Sequence, residues 1–284
     1  MTLQTKSESF QIQLEDHLVL RGNVHGPKQR LEAELPVIVI CHGFKGFKDW
    51  NFFPHLANQL AMNGFYAIRF NFSHNGVGEA GSHFDELDKF AVNTYSREQA
   101  DLVALLNEMV SRNLPFSHKF NLKRIGLVGH SRGGANSIIF AAEHPEIRAV
   151  VTWNGVSNVD FFTDDLKREI RENGVGYIVN ARTKEKMPLK KNVFEDIEQN
   201  KQRFHVMSHL KRMSTPVHII QGDSDSEWLV TGAKKMQKTA PIHSLAMISG
   251  GDHTFNAVHP LIEIPKQLQE AMKETIQFFN KRLM

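Results

Sequence analysis

Gly129-His130-Ser131-Arg132-Gly133 sets a serine between two glycines at the spacing G-x-S-x-G. At a glycine frequency of about 7%, such a pentapeptide arises by chance in roughly one chain in ten of this length, so its surroundings decide its weight. The apolar run Ile125-Gly126-Leu127-Val128 leads in and Gly134-Ala135 leads out. That pattern is a strand, a sharp turn and a helix. The flanking glycines let the backbone turn tightly enough to lift the serine hydroxyl to the carboxyl edge of a sheet. The plainer alternative is a capping serine in a glycine-rich connection.

A hydroxyl is a poor nucleophile near neutral pH. It needs a base, and the base needs a carboxylate to orient it. His253 follows the apolar run that ends at Ile248, within Gly251-Asp252-His253-Thr254-Phe255. Asp223 and Asp225 follow the run that ends at Ile220, within Gln221-Gly222-Asp223-Ser224-Asp225. Both stretches lie past the carboxyl ends of strands, where α/β proteins collect their chemistry. Asp252 adjoins His253, but sequence neighbours rarely aim their side chains at each other, so it ranks lower.

Other motifs compete less well. Gly76-Val77-Gly78-Glu79-Ala80-Gly81 spells G-x-G-x-x-G after a strand. A dinucleotide site would need a helix opening on the third glycine and an acidic residue closing the next strand. Ser82-His83-Phe84-Asp85-Glu86 follows instead, and Asp101 sits inside a helical pattern. The 15 histidines include no His-Glu-x-x-His run, so no metal is expected. His42, His130 and His144 read as supports for turns and element ends. Cys41, at the end of an apolar strand, reads as a small core residue.

Strand-length apolar runs alternate with helical periods. Residues 9–14 and 18–24 alternate apolar and polar positions, as a half-exposed antiparallel pair should. Residues 36–41, 65–70, 124–128, 147–153, 217–220 and 243–248 read as strands. Residues 51–62, 96–110, 135–142, 228–238 and 265–279 carry helical spacing. This alternation implies crossovers and a mostly parallel sheet of about eight strands with helices on both faces. Residues 155–213 break the rhythm with charged helical stretches and a possible hairpin over 177–189. They read as an insertion into a single domain spanning 1–284.

The 284 residues are 41% hydrophobic and 23% charged, the profile of a folded globular chain. One cysteine excludes an internal disulfide framework. No apolar run approaches the ~20 residues of a membrane-spanning helix. Residues 1–16 lack the apolar core of a signal peptide, so a reducing, cytoplasmic setting is expected. With 34 Lys+Arg against 31 Asp+Glu, mostly interspersed, no nucleic-acid partner is expected. One local excess runs from Arg182 through Lys184, Lys186, Lys190, Lys191, Lys201, Arg203 and Lys211 to Arg212. It is either a solvated face or a rim that steers anionic substrates.

Several of these motifs, in this order, resemble the α/β-hydrolases, nearest to the esterase-like and dienelactone-hydrolase-like branches. The resemblance runs from about Pro36 to the last helix. Chain order Ser131, then Asp, then His is that family's. Cys41-His42-Gly43-Phe44 resembles its His-Gly oxyanion turn, residues 64–72 its fourth strand, and Gly222-x-x-Asp225 its acid turn. Asn71 departs from an Asp common in that strand, which touches local loop chemistry only. The resemblance implies an α/β-hydrolase fold with a cap at 155–213, and a cofactor-free serine hydrolase, foremost a carboxylesterase. Ser131, His253 and Asp225 would form its triad, and the N–H groups of Phe44 and Arg132 its oxyanion hole. Its partner would be a small-molecule ester. Phe47 and Trp50, with Phe44 and Phe52, would line an acyl pocket or pack under the insertion. A thioesterase, an amidase or peptidase, and a non-catalytic ligand-binding protein stay open as alternatives.

Overall fold

The computed structural model describes residues 4–29, 33–180 and 183–284. Strands β1 (Thr5–Gln13), β2 (Val19–Pro27), β3 (Leu35–Cys41), β4 (Tyr66–Asn71), β5 (Phe120–His130), β6 (Ile147–Trp153), β9 (Val217–Gly222) and β10 (Ser244–Ile248) form one eight-stranded sheet. Its order is β1-β2-β4-β3-β5-β6-β9-β10. The first two pairings are antiparallel and the other five are parallel. The sheet therefore has the fold class expected of it.

Covered faces explain the continuous apolar strands. A strand's side chains alternate between faces, so Val37, Val39 and Cys41 of β3 enter one core cluster and Ile38 and Ile40 the other. The first cluster takes in α3 (Tyr95–Val110), α4 (Arg132–Glu143) and α8 (Glu227–Thr239). The second takes in α1 (Phe53–Met62) and α9 (Lys266–Leu283). A short helix α2 (Leu87–Ala91) precedes α3. Strand β5 starts at Phe120, five residues before its apolar run at Ile125. Phe120 and Asn121 pair with Leu35 and Pro36 ahead of a register shift, a tertiary pairing that composition does not signal.

Between β6 and β9 lie α5 (Asp164–Asn173), the hairpin β7 (Val175–Val179) with β8 (Lys186–Lys190), α6 (Asn192–Gln199) and α7 (Val206–Arg212). Leu166, Ile170, Met187, Leu189 and Val193 gather with Phe47, Val77, Phe84 and Phe90 in a third, smaller cluster. Ile197, Phe204, Val206 and Leu210 join the first. The hairpin falls where the sequence placed one. Arg182 lies outside the described residues, as does the start of the 1–16 stretch. No described helix is long and apolar enough to cross a membrane.

Candidate active site

Ser131 stands between the last residue of β5 and the first of α4, at φ 55 and ψ −118. A side chain bearing a Cβ disfavours that region, which persists only where the surroundings over-determine it. Here they do. A Cβ at Gly129 would meet Gly133 O at 2.1 Å, and one at Gly133 would meet Cys41 O at 2.3 Å. Only glycines let β5, α4 and β3 approach so closely. Ser131 is the N-cap residue of α4, yet its side chain makes no capping bond. The hydroxyl is left for other work, which disposes of the capping alternative.

His253 and Asp225 meet across 28 residues. His253 Nδ1–H donates to Asp225 Oδ2 at 2.8 Å. The same carboxylate accepts from Ser226 N–H (2.7 Å) and Gln221 Nε2 (3.2 Å). Burial pulls the Asp225 carboxyl upward, but these donors, His253 first, outweigh it and hold it below its ordinary value. The rival aspartates face elsewhere. Asp223 accepts from Gly250 N–H, and Asp252 closes its own turn by accepting from the N–H groups of Thr254 and Asn256. No hydrogen bond joins Ser131 Oγ to His253, a contact that in ligand-free sites often tightens only when substrate arrives.

Two residues that the sequence reading passed over or gave a general supporting role hold this arrangement. Asn154, fully buried just past β6, accepts Gly222 N–H at 2.8 Å and donates to the carbonyls of Asp252 (3.2 Å) and His253 (3.0 Å). It ties the loop of Asp225 to the loop of His253. His130 Nε2–H donates to His253 O at 2.8 Å, with the two rings 4.8 Å apart. Burial, helped by His253, pushes its pKa down to about 3, so it stays a neutral donor. An asparagine beside a glycine gives no local signal of such a clamp.

The turn after β3 is braced from below. His42 Nδ1–H donates to Gly43 O (2.9 Å) while its Nε2 accepts Phe72 N–H (3.2 Å). Asn71 accepts Lys48 N–H at 2.6 Å, so the departure from Asp still anchors this loop. A Cβ on Gly43 would lie 3.0 Å from Ser131 Cβ, which puts the Gly43-Phe44 turn against the serine. Arg132 opens α4, so its N–H is one of the free donors of a helix start. Its guanidinium is buried, with Nε 2.8 Å from Glu98 Oε2 and its plane 3.8 Å over the Tyr95 ring.

A cavity of about 220 Å³ is lined by Gly43, Phe44, Trp50, His130, Ser131 and His253 together with Lys45 and, from the insertion, Asn180. Trp50 lines it as well. Phe47 does not: its ring is buried behind the wall, edge-on to Phe84. Phe52 packs between His130 and Trp153. Phe44 and Lys45 also line a second cavity of about 450 Å³ with Phe161, Phe162, Tyr177 and α5. Cys41 is buried, and burial pushes its thiol up to about 12. The Gly76–Gly81 loop spends a backbone donor inwardly, since Gly78 N–H bonds Asp85, where a phosphate cradle would need it free.

The chain matches the alpha/beta hydrolase fold family over residues 36–210. It is 32% identical over 118 residues to phospholipase A1 of Solenopsis invicta, a stretch covering 41% of this chain and 32% of that one. An uncharacterized 31.7 kDa protein of Escherichia coli is 26% identical over 117 residues, 41% of this chain and 36% of its own. The matched stretch thus spans about a third of these curated relatives. Among solved structures, Est1E from Butyrivibrio proteoclasticus with ferulic acid bound superposes at TM-score 0.69, with 20% identity and coverage of 94% and 96%. A dienelactone hydrolase from Anabaena variabilis superposes at 0.62, with 15% identity and coverage of 99% and 100%.

Proposed function

This chain belongs to the α/β-hydrolase family, and from that membership we propose that it is a serine hydrolase of carboxylic esters. The observation that carries the reading is one cavity lined by both Ser131 and His253, with the second ring nitrogen of His253 bonded to Asp225. In this mechanism His253 Nε2 takes the Ser131 proton as Oγ attacks the ester carbonyl. Asp225 holds the imidazole in the tautomer that leaves Nε2 free and stabilises the imidazolium that forms. The N–H groups of Phe44 and Arg132 receive the oxyanion, fixed in place by the His42 brace and the Arg132–Glu98 pair. His253 then protonates the departing alkoxide, and water attacks the acyl-enzyme by the same route. No cofactor takes part in these steps.

Residues 155–213 act as a cap in this reading. Asn180 reaches the catalytic cavity, and Phe161, Phe162 and Tyr177 give the adjoining one aromatic walls. An aryl acyl or aryl leaving group fits such walls, and a structural neighbour holds ferulic acid. A fluorophosphonate should label the protein on Ser131 alone, and Ser131→Ala should lower kcat by roughly 10⁴–10⁶. A panel of p-nitrophenyl and hydroxycinnamoyl esters then ranks the acyl groups. Labelling that persists in Ser131→Ala would overturn the reading.

A further inference from the structure

Among the described residues, one lysine lines the cavity that holds Ser131, and it lies outside the insertion. Lys45 follows Phe44 and lines both the catalytic cavity and the aromatic one beside it. Its backbone is left-handed (φ 58), a conformation retained in non-glycine residues where the surroundings demand it. Its ammonium donates to the carbonyl of Val179, the last residue of β7, at 3.3 Å. No described carboxylate forms an ion pair with it. Asp165 and Glu169 line the aromatic cavity with it, but Asp165 pairs with Arg168. Burial lowers the Lys45 pKa with no acidic neighbour to offset it.

The expected source of positive charge lies elsewhere. Lys184, Lys186, Lys190, Lys191, Lys201, Arg203, Lys211 and Arg212 are exposed, and none lines the cavity that holds Ser131. Lys191, Lys201 and Arg203 are already paired, with Glu195, Glu198 and Glu143. These are the solvated face of the insertion. Lys45 differs in being partly desolvated at the cavity that holds Ser131, with no ion pair to a described carboxylate.

A cation partly withdrawn from water and offered only a neutral carbonyl keeps part of its desolvation cost, which an arriving anion offsets. We propose that Lys45 recognises a carboxylate carried by the substrate a few atoms from the scissile carbonyl, so that the preferred esters are monoanionic. One ammonium, without an arginine fork among the described lining residues of either cavity, suits a singly charged carboxylate better than a phosphate dianion. The inference rests on Ser131 as the nucleophile.

The test compares ester pairs matched in size, one neutral and one bearing a carboxylate. One pair carries it in the acyl group (p-nitrophenyl valerate and p-nitrophenyl hemiglutarate). The other carries it in the leaving group (phenyl butyrate and 4-butyryloxybenzoate). The quantity read is the anionic-to-neutral ratio of kcat/KM, in which a general loss of activity cancels. Lys45→Met should lower that ratio about tenfold or more in at least one pair, and Lys45→Arg should preserve most of it. A ratio unchanged in both pairs by Lys45→Met, while Ser131 still takes the fluorophosphonate, overturns the role of Lys45 and leaves the serine hydrolase standing. Loss of labelling at Ser131 in the unmodified protein overturns both.

Discussion

The carboxyl edge of the sheet, where Ser131 and His253 sit, and the insertion between β6 and β9 are built to different standards. At the edge, the loops after β5, β6, β9 and β10 are cross-tied by Asn154 and His130, and the side chains that tie them are buried. The first half of the insertion is a charged helix and a hairpin of two five-residue strands, sharing a small core borrowed from loops of the main domain. Tyr177 and Val179 of that hairpin stay about half exposed, at 48% and 55%. A two-stranded hairpin alone is marginal in water. Reaction chemistry tolerates little positional error, whereas a wall that selects substrates can shift as ligands enter.

The largest effects should therefore fall at the edge. Asp225→Asn should cost roughly 10³–10⁴ in kcat by favouring the wrong His253 tautomer, with Asp223→Asn and Asp252→Asn far milder in the same assay. A larger loss at Asp223 would mean that His253 finds a different carboxylate during turnover. Asn154→Ala removes three bonds that register the acid and base loops. Steady-state kinetics should show kcat down on the order of 10- to 100-fold with KM little changed. Denaturant melts should show a loss of about 1–3 kcal/mol from the orphaned partners.

The insertion should respond more gently. Phe162→Ala should raise KM for aryl esters several-fold, about the 1 kcal/mol of a lost aromatic contact, and leave kcat for small acyl esters nearly constant. Amide hydrogen exchange should be faster in β7 and β8 than in β5 and β6. Equal protection in both sheets would erase the contrast.

Acid gives the smallest and most local readout. Burial keeps folded His130 neutral down to about pH 3, whereas an unfolded imidazole titrates near 6.5. As pH falls through about 6.5 the unfolded chain takes up a proton that the folded chain refuses. Stability is then lost progressively until about pH 3. His130→Gln keeps an N–H donor for His253 O without the titration. Its melting temperature should fall less steeply across that window, while His25 and His74, both lowered to about 4 mainly by burial, continue to contribute.

Much of the architecture was written in local patterns. Continuous apolar runs at β3 and β6 mark strands covered on both faces, and helical spacing marks α1, α3, α4 and α9, because periodicity depends only on neighbours along the chain. Short α2 escaped notice, since five residues hold too little of a period to read. For Phe47 the sequence leaves open a pocket wall or packing under the insertion, and the structure buries it with Leu166, Ile170 and Met187 of the insertion and Phe84 and Phe90.

By itself the sequence determined a mostly parallel sheet, a strained serine turn at its edge, and Asp225 and His253 past the ends of later strands in a fixed order. Those follow from apolar periodicity and from glycines whose backbone freedom is intrinsic. The Gly-x-x-Asp turn already favours Asp225, but it is the tertiary structure that brings it to His253, ties their loops through Asn154, and sets Lys45 rather than the insertion's lysines at the cavity that holds the serine. Each of those outcomes depends on partners 28 to 134 positions away. Burial and hydrogen-bond geometry are set where distant loops converge, and no local pattern of residue types encodes that convergence.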